Sequence, residues 1–312
     1  MKKVIVVAAA LLASSAQATS GLDFGDINYL LKSGQFNLTS NLNVVNEEVQ
    51  DEAGGAGGAS ISYEKNGYII DNRFAFGIAD NLNVFVGLDY AWDYKMEVPG
   101  SSNSDNSGFS NPRVGAIYRA ANQSDSLLNV DFGVVGNIKV MDAERGMNTG
   151  KSGNYYGGNN SLELNTRIGR KWNEANEWQL TAGAIRNFDG KYDEVTGAGK
   201  NTIDTDASTD FYLKAGYQYR PVQEFMMLVQ GTAIRKGSMT AKDENGVKIK
   251  DDSYVDYNFL FKAKYLVTEK FIVNFNYGLN HLAEYDRVRG GTTSEQKNRF
   301  ANSYGFGLDW LF

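Results

Sequence analysis

The chain has 312 residues, with Gly 34, Tyr 18 and Phe 17 against Pro 3 and Cys 0, and a formal charge of −6 from Lys+Arg 31 and Asp+Glu 37. The missing cysteines exclude a disulfide scaffold, a thiolate metal site and a cysteine nucleophile, and a single histidine excludes a multi-histidine metal centre. The acidic balance gives nucleic acid no counter-charge, and a mean hydropathy of −0.40 leaves no room for a bundle of membrane helices.

The chain opens on a basic start, Met1-Lys2-Lys3, followed by the apolar run Val4–Ala13 and a small-x-small ending, Ala16-Gln17-Ala18. That order predicts a cleaved signal peptide over residues 1–18, with the mature chain starting near Thr19. The alternative, a membrane anchor, needs about 20 apolar residues, far more than are present. Losing Lys2 and Lys3 takes the formal charge from −6 to −8. Residues 19–34 form a short periplasmic or lumenal segment. It carries a cluster of Leu22, Phe24, Ile27, Tyr29, Leu30 and Leu31, suited to a small stopper but too short for a folded plug domain.

From residue 35 onward the pattern is period two. Phe36, Leu38, Leu42 and Val44 alternate with Gln35, Asn37, Thr39, Asn41 and Asn43. Next come strands at approximately 59–78 and 82–97. In the latter, Leu82, Val84, Val86, Leu88, Tyr90, Trp92, Tyr94 and Met96 share one side. That stretch exceeds the usual sandwich strand of about 5–6 residues and fits a tilted membrane strand of about 9–11 with an extension. Further strands are predicted near 110–120, 127–141, 160–171, 178–190, 209–219, 225–236, 254–265, 271–285 and 299–312. The pattern is weak at Met226-Met227-Leu228-Val229, and Arg186 interrupts the apolar face of 178–190.

Short turns at 79–81, 121–126, 172–177, 220–224 and 267–270 alternate with long polar connections near 46–58, 98–109, 142–159, 191–208, 237–253 and 286–298. One rim differs from the other, as in membrane barrels with short periplasmic turns and longer outer loops. Trp178, Phe225 and Phe271 open strands after short turns. Tyr118, Tyr219 and Tyr265 close strands before them, and Tyr90, Trp92 and Tyr94 approach a long loop. These positions suit two interfacial girdles. The chain ends on a strand with Tyr304, Phe306, Leu308, Trp310 and Phe312 on one face, a terminal pattern that resembles the assembly signal of bacterial outer-membrane barrels. The expected fold is therefore all-β: a transmembrane antiparallel up-and-down β-barrel of about 12 strands over 35–312, in the bacterial outer membrane with both termini periplasmic.

The inward parity carries both charges: Asp71, Arg73, Asp89, Asp93, Lys95, Arg113, Asp131, Lys139, Glu163, Arg167, Asp210, Lys214, Asp256 and Lys262, with Lys264 and Asp309 beside them. These are candidates for lining a substrate path, and equally for closing the lumen through ion pairs, since a barrel interior is polar by construction. No single-sign ladder stands out. The inward glycines Gly77, Gly87, Gly133, Gly169, Gly183, Gly216, Gly278, Gly305 and Gly307 keep the wall thin and favour open volume.

The first long loop is acidic (Glu47, Glu48, Asp51, Glu52) and runs into Gly54-Gly55-Ala56-Gly57-Gly58, which lacks the strand-to-helix context of a phosphate loop. In the fifth, Asn245-Gly246 predicts a type I′ hairpin. Its Asp243, Glu244, Asp251 and Asp252 lack calcium-loop spacing. No metal and no cofactor is expected. His281 faces outward with Leu279, with Asn302 expected roughly opposite; Ala283 stands where a His-x-Ser pattern would place serine, so no enzyme is expected.

The run Arg73–Tyr90, a strand, an Ile-Ala-Asp-Asn turn and a strand, and the run Gly108–Arg119 resemble the outer-membrane proteins labelled for the meta-pathway of phenol degradation. The likeness covers about a sixth of the chain, and Ser110-Asn111-Pro112 replaces that family's Gly-Asp. The resemblance implies a channel for small molecules, aromatic or hydrophobic ones included, and transfers no catalytic residue. The functional expectation is an outer-membrane channel or uptake pore for passive passage. The alternatives are a non-transporting surface barrel whose long loops bind a partner, and a lipid-acting enzyme at His281. Expected partners are outer-membrane lipid and lipopolysaccharide, the barrel-assembly machinery and a small-molecule solute, with no nucleic acid.

Overall fold

The computed structural model describes residues 25–52, 60–97, 104–123, 127–146, 153, 155, 157–196, 199–296 and 299–312. The signal peptide expected over 1–18, and the glycine run 54–58, lie outside the described residues.

Twelve long strands make the wall: β1 (Phe36–Glu52), β2 (Ser60–Ala79), β3 (Leu82–Glu97), β6 (Arg113–Ala121), β7 (Asn129–Asn137), β9 (Asn159–Asn173), β10 (Asn176–Thr196), β12 (Ser208–Val222), β13 (Phe225–Lys236), β16 (Tyr254–Thr268), β17 (Phe271–Leu282) and β20 (Arg299–Leu311). Each pairs antiparallel with the next, and β20 pairs with β1 through Leu38↔Trp310 and Leu42↔Phe306, which closes the sheet. Closure leaves no edge, so every ladder group finds a partner without water. The last residue completes the seam: Phe312 N donates to Phe36 O at 2.8 Å and Phe36 N to Phe312 O at 3.2 Å.

The alternating sequence sorts side chains to the two sides of this wall. Leu38, Phe74, Val86, Phe132, Leu164, Phe211, Leu213, Phe259 and Phe306 all stand exposed on the outside. An apolar band of that extent is untenable in water and matches hydrocarbon. Arg186 stays on that outer parity and donates to Thr209 Oγ1 at 3.0 Å near the long-loop end. At the short-turn rim, Trp172 meets Trp178 with ring centroids 6.4 Å apart, and Phe271 meets Trp310 at 5.7 Å. At the other rim Tyr68 stacks on Trp92 at 5.4 Å. Among the described residues no helix is long and apolar enough to cross a membrane.

Among the described residues eight short strands lie at the long-loop rim, where the sequence reading has a hairpin in the fifth connection and plain polar connections in the others. They are β4 (Ser104–Asp105), β5 (Gly108–Phe109), β8 (Ala143–Gly146), β11 (Gly199–Thr205), β14 (Met239–Asp243), β15 (Lys248–Asp251), β18 (Tyr285–Arg289) and β19 (Thr292–Gln296). β10, β11, β14, β15, β18, β19 and β1 pair in succession and continue the wall beyond the long-loop rim. This tier has its own core of Ile203, Ala241 and Ile249 against Tyr192. Arg287 ties it together by donating to Asp251 Oδ1 at 2.7 Å and Oδ2 at 2.8 Å, hydrogen bonds that hold the guanidinium protonated well above its ordinary range. The hairpin between β14 and β15 is not the expected type I′: Gly246 has φ +76 while Asn245 has no positive φ. Asp243 instead accepts from Asn245 N at 3.0 Å and Val247 N at 2.8 Å, which favours a three-residue loop with glycine in the left-handed position.

Candidate functional site

Residues 25–35 fold into the barrel at the short-turn rim. Gly25 (φ +90) and Gly34 (φ +81) bend the segment at its two ends. Gly34 N donates to Gly77 O at 2.8 Å, and Gly77 N to Gln35 O at 2.9 Å, so the segment is stitched to β2. On one side Leu31 enters an apolar cluster with Ala75, Met226, Leu266, Ile272 and Leu311, drawn from five strands. The Asn83 side-chain amide meets the Leu31 backbone; oriented to satisfy both groups, it donates to Leu31 O at 2.9 Å and accepts from Leu31 N at 2.7 Å.

The other side of the segment is polar. Asp26, with a side chain only 6% exposed, accepts from Lys171 Nζ at 3.0 Å, from Gln218 Nε2 at 3.2 Å and from Arg220. A lone carboxylate buried this deeply would be untenable, so these donors are a condition of its placement. Asn28 donates through Nδ2 to Glu177 Oε2 at 3.2 Å and to Trp178 O at 3.1 Å, while its carbonyl accepts from Arg119 at 2.6 Å. Gln179 donates to Ile27 O at 2.9 Å, and Lys264 to Gly25 O. Apart from Trp178, which faces outward and offers only its backbone carbonyl, each of these wall residues sits at an inward parity position on the short-turn half of its strand. Lys171, Glu177 and Arg220 sit at or beyond the strand ends read from sequence, which is why they escaped that reading; Asp26 was overshadowed by its apolar neighbours.

The inward glycines do not leave open volume in the way their small size suggested. The space a side chain would take at Gly77 and Gly169 is filled by Lys32 and Asn28 of the N-terminal segment, and that above Gly133, Gly183 and Gly307 by Asn165, Tyr212 and Asn41. The remaining space is divided. A cavity of about 380 Å³ opens at the short-turn rim, lined by Asp80, Asn122, Gln123, Lys171 and Glu177. A second, of about 320 Å³, lies in the lumen, lined by Arg73, Arg167, Lys262, Lys264 and Asp309. Both are bounded by Asp26, Tyr29 and Leu30 of the same segment.

The lumen candidates fall into three groups. Several form closed pairs across strands: Arg113 donates to Asp89 at 2.6 Å, and Asp131 takes Arg119 at 2.8 Å and Arg167 at 3.4 Å. Asp210 takes Lys236 at 2.9 Å and Asn187 at 3.3 Å. Others are acids held by neutral donors: Asp71 by Asn41 at 3.3 Å, Glu163 by Asn165 at 2.8 Å and Tyr212, Asp256 by Asn258 and Asn280, and Asp309 by Thr39 at 2.7 Å. The third group is cations outside any ion pair among the described residues: Arg73, Lys214 and Lys262.

Three candidates, Asp93, Lys95 and Lys139, are placed differently from the sequence reading. At Asp93 (φ +51) a bulge sets Asp93 and Tyr94 against the single residue Gly67, so Lys95 pairs with outward-facing Asn66 and Tyr94 turns inward over Gly67. Lys95 then reaches Asp93 at 2.5 Å on the rim rather than the lumen. Lys139 lies past the end of β7, where Ile138 N bonds to Pro112 O, and it pairs with Asp142 at 2.9 Å. On the outer face His281 lies between Tyr257 (6.3 Å) and Phe300 (4.5 Å), and Asn302 is in register with Leu279 rather than with His281. No cluster of three His, Cys, Asp or Glu residues that could hold a metal occurs among the described residues.

No protein-family model matches the chain, and no curated protein matches it in sequence. Solved structures do. An outer-membrane channel from Pseudomonas putida F1 superposes with a TM-score of 0.57 at 14% identity, over 93% of this chain and 99% of that one. The fold is that of an outer-membrane β-barrel. More distant likenesses include a deltaS2 mutant of the TodX monoaromatic hydrocarbon channel (TM-score 0.44, 9% identity, 92% of each chain). The outer-membrane protease OmpT from Escherichia coli is another (TM-score 0.43, 12% identity, 91% of this chain and 100% of that one).

Proposed function

We propose that the barrel is an outer-membrane channel for the passive passage of small molecules, with its short-turn rim periplasmic and closed at rest by residues 25–35. The observation that carries this reading is the pair of cavities, each bounded by Asp26, Tyr29 and Leu30. Among the described residues, this short stretch of chain borders both the lumenal space and the space at the short-turn rim. The segment is held largely by hydrogen bonds and ion pairs, which water can replace when it swings aside. Twelve strands give a bore between packed eight-stranded barrels and open porins of about 16–18 strands, a size for small solutes. The likeness to the P. putida channel agrees with this reading. Lipid and lipopolysaccharide would cover the outer band, and the terminal strand would be read by the assembly machinery. Conductance in planar bilayers tests it: discrete openings that lengthen when residues 25–31 are deleted are expected, and a deletion variant that conducts no ion and swells no liposome would refute it.

A second reading is a surface barrel that binds a partner without transport. The paired tier built by β11, β14, β15, β18 and β19 favours it, since loops ordered into a sheet present a fixed surface. The same conductance measurement separates the two.

A further inference from the structure

The lumenal cavity above the N-terminal segment has a divided lining. One part is apolar: Ala75, Ile117, Leu228 and Leu260. The other is cationic: Arg73, Arg167, Lys262 and Lys264. Two acids also reach it, and both are engaged: Asp26 by Lys171, Gln218 and Arg220, and Asp309 by Thr39 and Asn274.

The cations are less well served. The Arg73 guanidinium carbon lies 4.1 Å from the Phe85 ring centre, its Nε is buried without a hydrogen-bond partner, and it forms no ion pair among the described residues. Arg167 spends one contact on Asp131 at 3.4 Å and leaves buried Nε unpartnered. Lys262 has no ion pair among the described residues. A buried, unsatisfied guanidinium donor is costly, and a small anion in the cavity relieves that cost. At about 320 Å³ the space is at the small end of ligand pockets, whose range is about 300–1,000 Å³.

We infer that this chamber is a binding site for small organic monoanions with an apolar body, such as an aromatic or branched aliphatic carboxylate. The carboxylate is received by Arg73, with Arg167 and Lys262 at hand, and the hydrocarbon lies against Ile117, Leu228 and Leu260. Planar guanidinium groups match carboxylate geometry, and a low-dielectric wall strengthens the bond. A neutral aromatic would leave the cations unserved, and a bare inorganic anion would leave the apolar wall uncovered. The inference deepens the channel reading by naming a solute class, and it rests on that reading for its physiological sense. The site itself is a matter of equilibrium binding.

The test is calorimetry of the full mature chain, folded in detergent, titrated with sodium benzoate, benzyl alcohol and sodium acetate. Saturable binding of benzoate is expected, with benzyl alcohol and acetate each weaker by about tenfold or more, the scale of one charge-assisted hydrogen bond. Arg73→Gln with Lys262→Gln should weaken benzoate by a similar factor and leave benzyl alcohol unchanged, with folding checked by heat-dependent gel mobility. Equal binding of benzoate and benzyl alcohol, or of benzoate and acetate, would overturn the inference, as would unchanged benzoate affinity in the folded double variant. Should that variant fail to fold, Lys262→Gln alone carries the same comparison. Benzoate binding by a barrel that never conducts would keep the site and sink the channel.

Discussion

Asn28 occupies the space that a side chain at Gly169 would fill: a Cβ placed on Gly169 would come 2.8 Å from Asn28 Cγ and closer still to its amide oxygen. The absence of a side chain on β9 is thus the seat of a side chain from the N-terminal segment. From that seat Asn28 reaches Glu177 and Trp178 on β10. The stopper and its socket are complementary at the level of single atoms, and that complementarity can be broken from the wall side without altering the segment.

Gly77→Ala does so. Its new methyl would collide with the Lys32 carbonyl, so the segment has to leave its seat while the strand geometry stays allowed. Single-channel recording should show a larger time-averaged conductance than in the parent. Gly231→Ala, where nothing stands within 4 Å, should leave it unchanged.

Asp26→Asn removes the charge that Lys171 and Arg220 share. Breaking a buried pair from one side costs about 3–5 kcal/mol where the remaining charge stays buried. Here the stopper can swing out and let water reach Lys171 and Arg220, so the loss appears as opening. The open fraction should rise by about tenfold or more, with the heat-dependent gel shift of the barrel retained.

Leu31→Ala empties the apolar side of the same contact, where Leu31 is 4% exposed among Met226, Ile272 and Leu311. The expected loss is about 2–5 kcal/mol. Amide hydrogen exchange over 25–35 should accelerate while exchange in the strands β16 and β17 stays slow. Acceleration throughout the barrel would mean that the segment is part of one cooperative unit.

At the opposite end, Asp251→Asn weakens the two-bond tie to Arg287 and with it the pairing of β15 with β18. Trypsin should then cut faster at Lys242, Lys248 and Lys250. Conductance should change little, because the tier stands beyond the lumenal cavity.

The wall was legible in the sequence because each strand is long enough for alternation to accumulate: Leu82 to Trp92 repeats the same choice six times. The terminal face of Tyr304, Phe306, Leu308 and Trp310 was legible for the same reason. Of the tier only the fifth-loop hairpin was legible, from Asn245-Gly246; Lys248-Ile249-Lys250 offers one alternation only, and its other partner, β18, is distant in the chain. Parity also fails silently at a bulge. Nothing in Trp92-Asp93-Tyr94-Lys95 announces that Asp93 takes a positive φ, so Lys95 was placed on the wrong side. Within the lumen, sequence located the charges but not their pairing. Register decides that Asp131 meets Arg119 and Arg167 while Arg73 forms no ion pair among the described residues.

The most direct test of a gated channel uses the absence of native cysteine. Asn28→Cys with Gly169→Cys places two thiols within disulfide reach across the seat, for which Cβ atoms should lie about 3.5–4.5 Å apart. Single-channel conductance is recorded on the oxidised barrel and again after reduction in the same bilayer. A gate at this seat predicts silence or the smallest conductance level while the bond is intact and recovery of openings on reduction. Equal conductance in the two states, with the cross-link verified by mass, would contradict it.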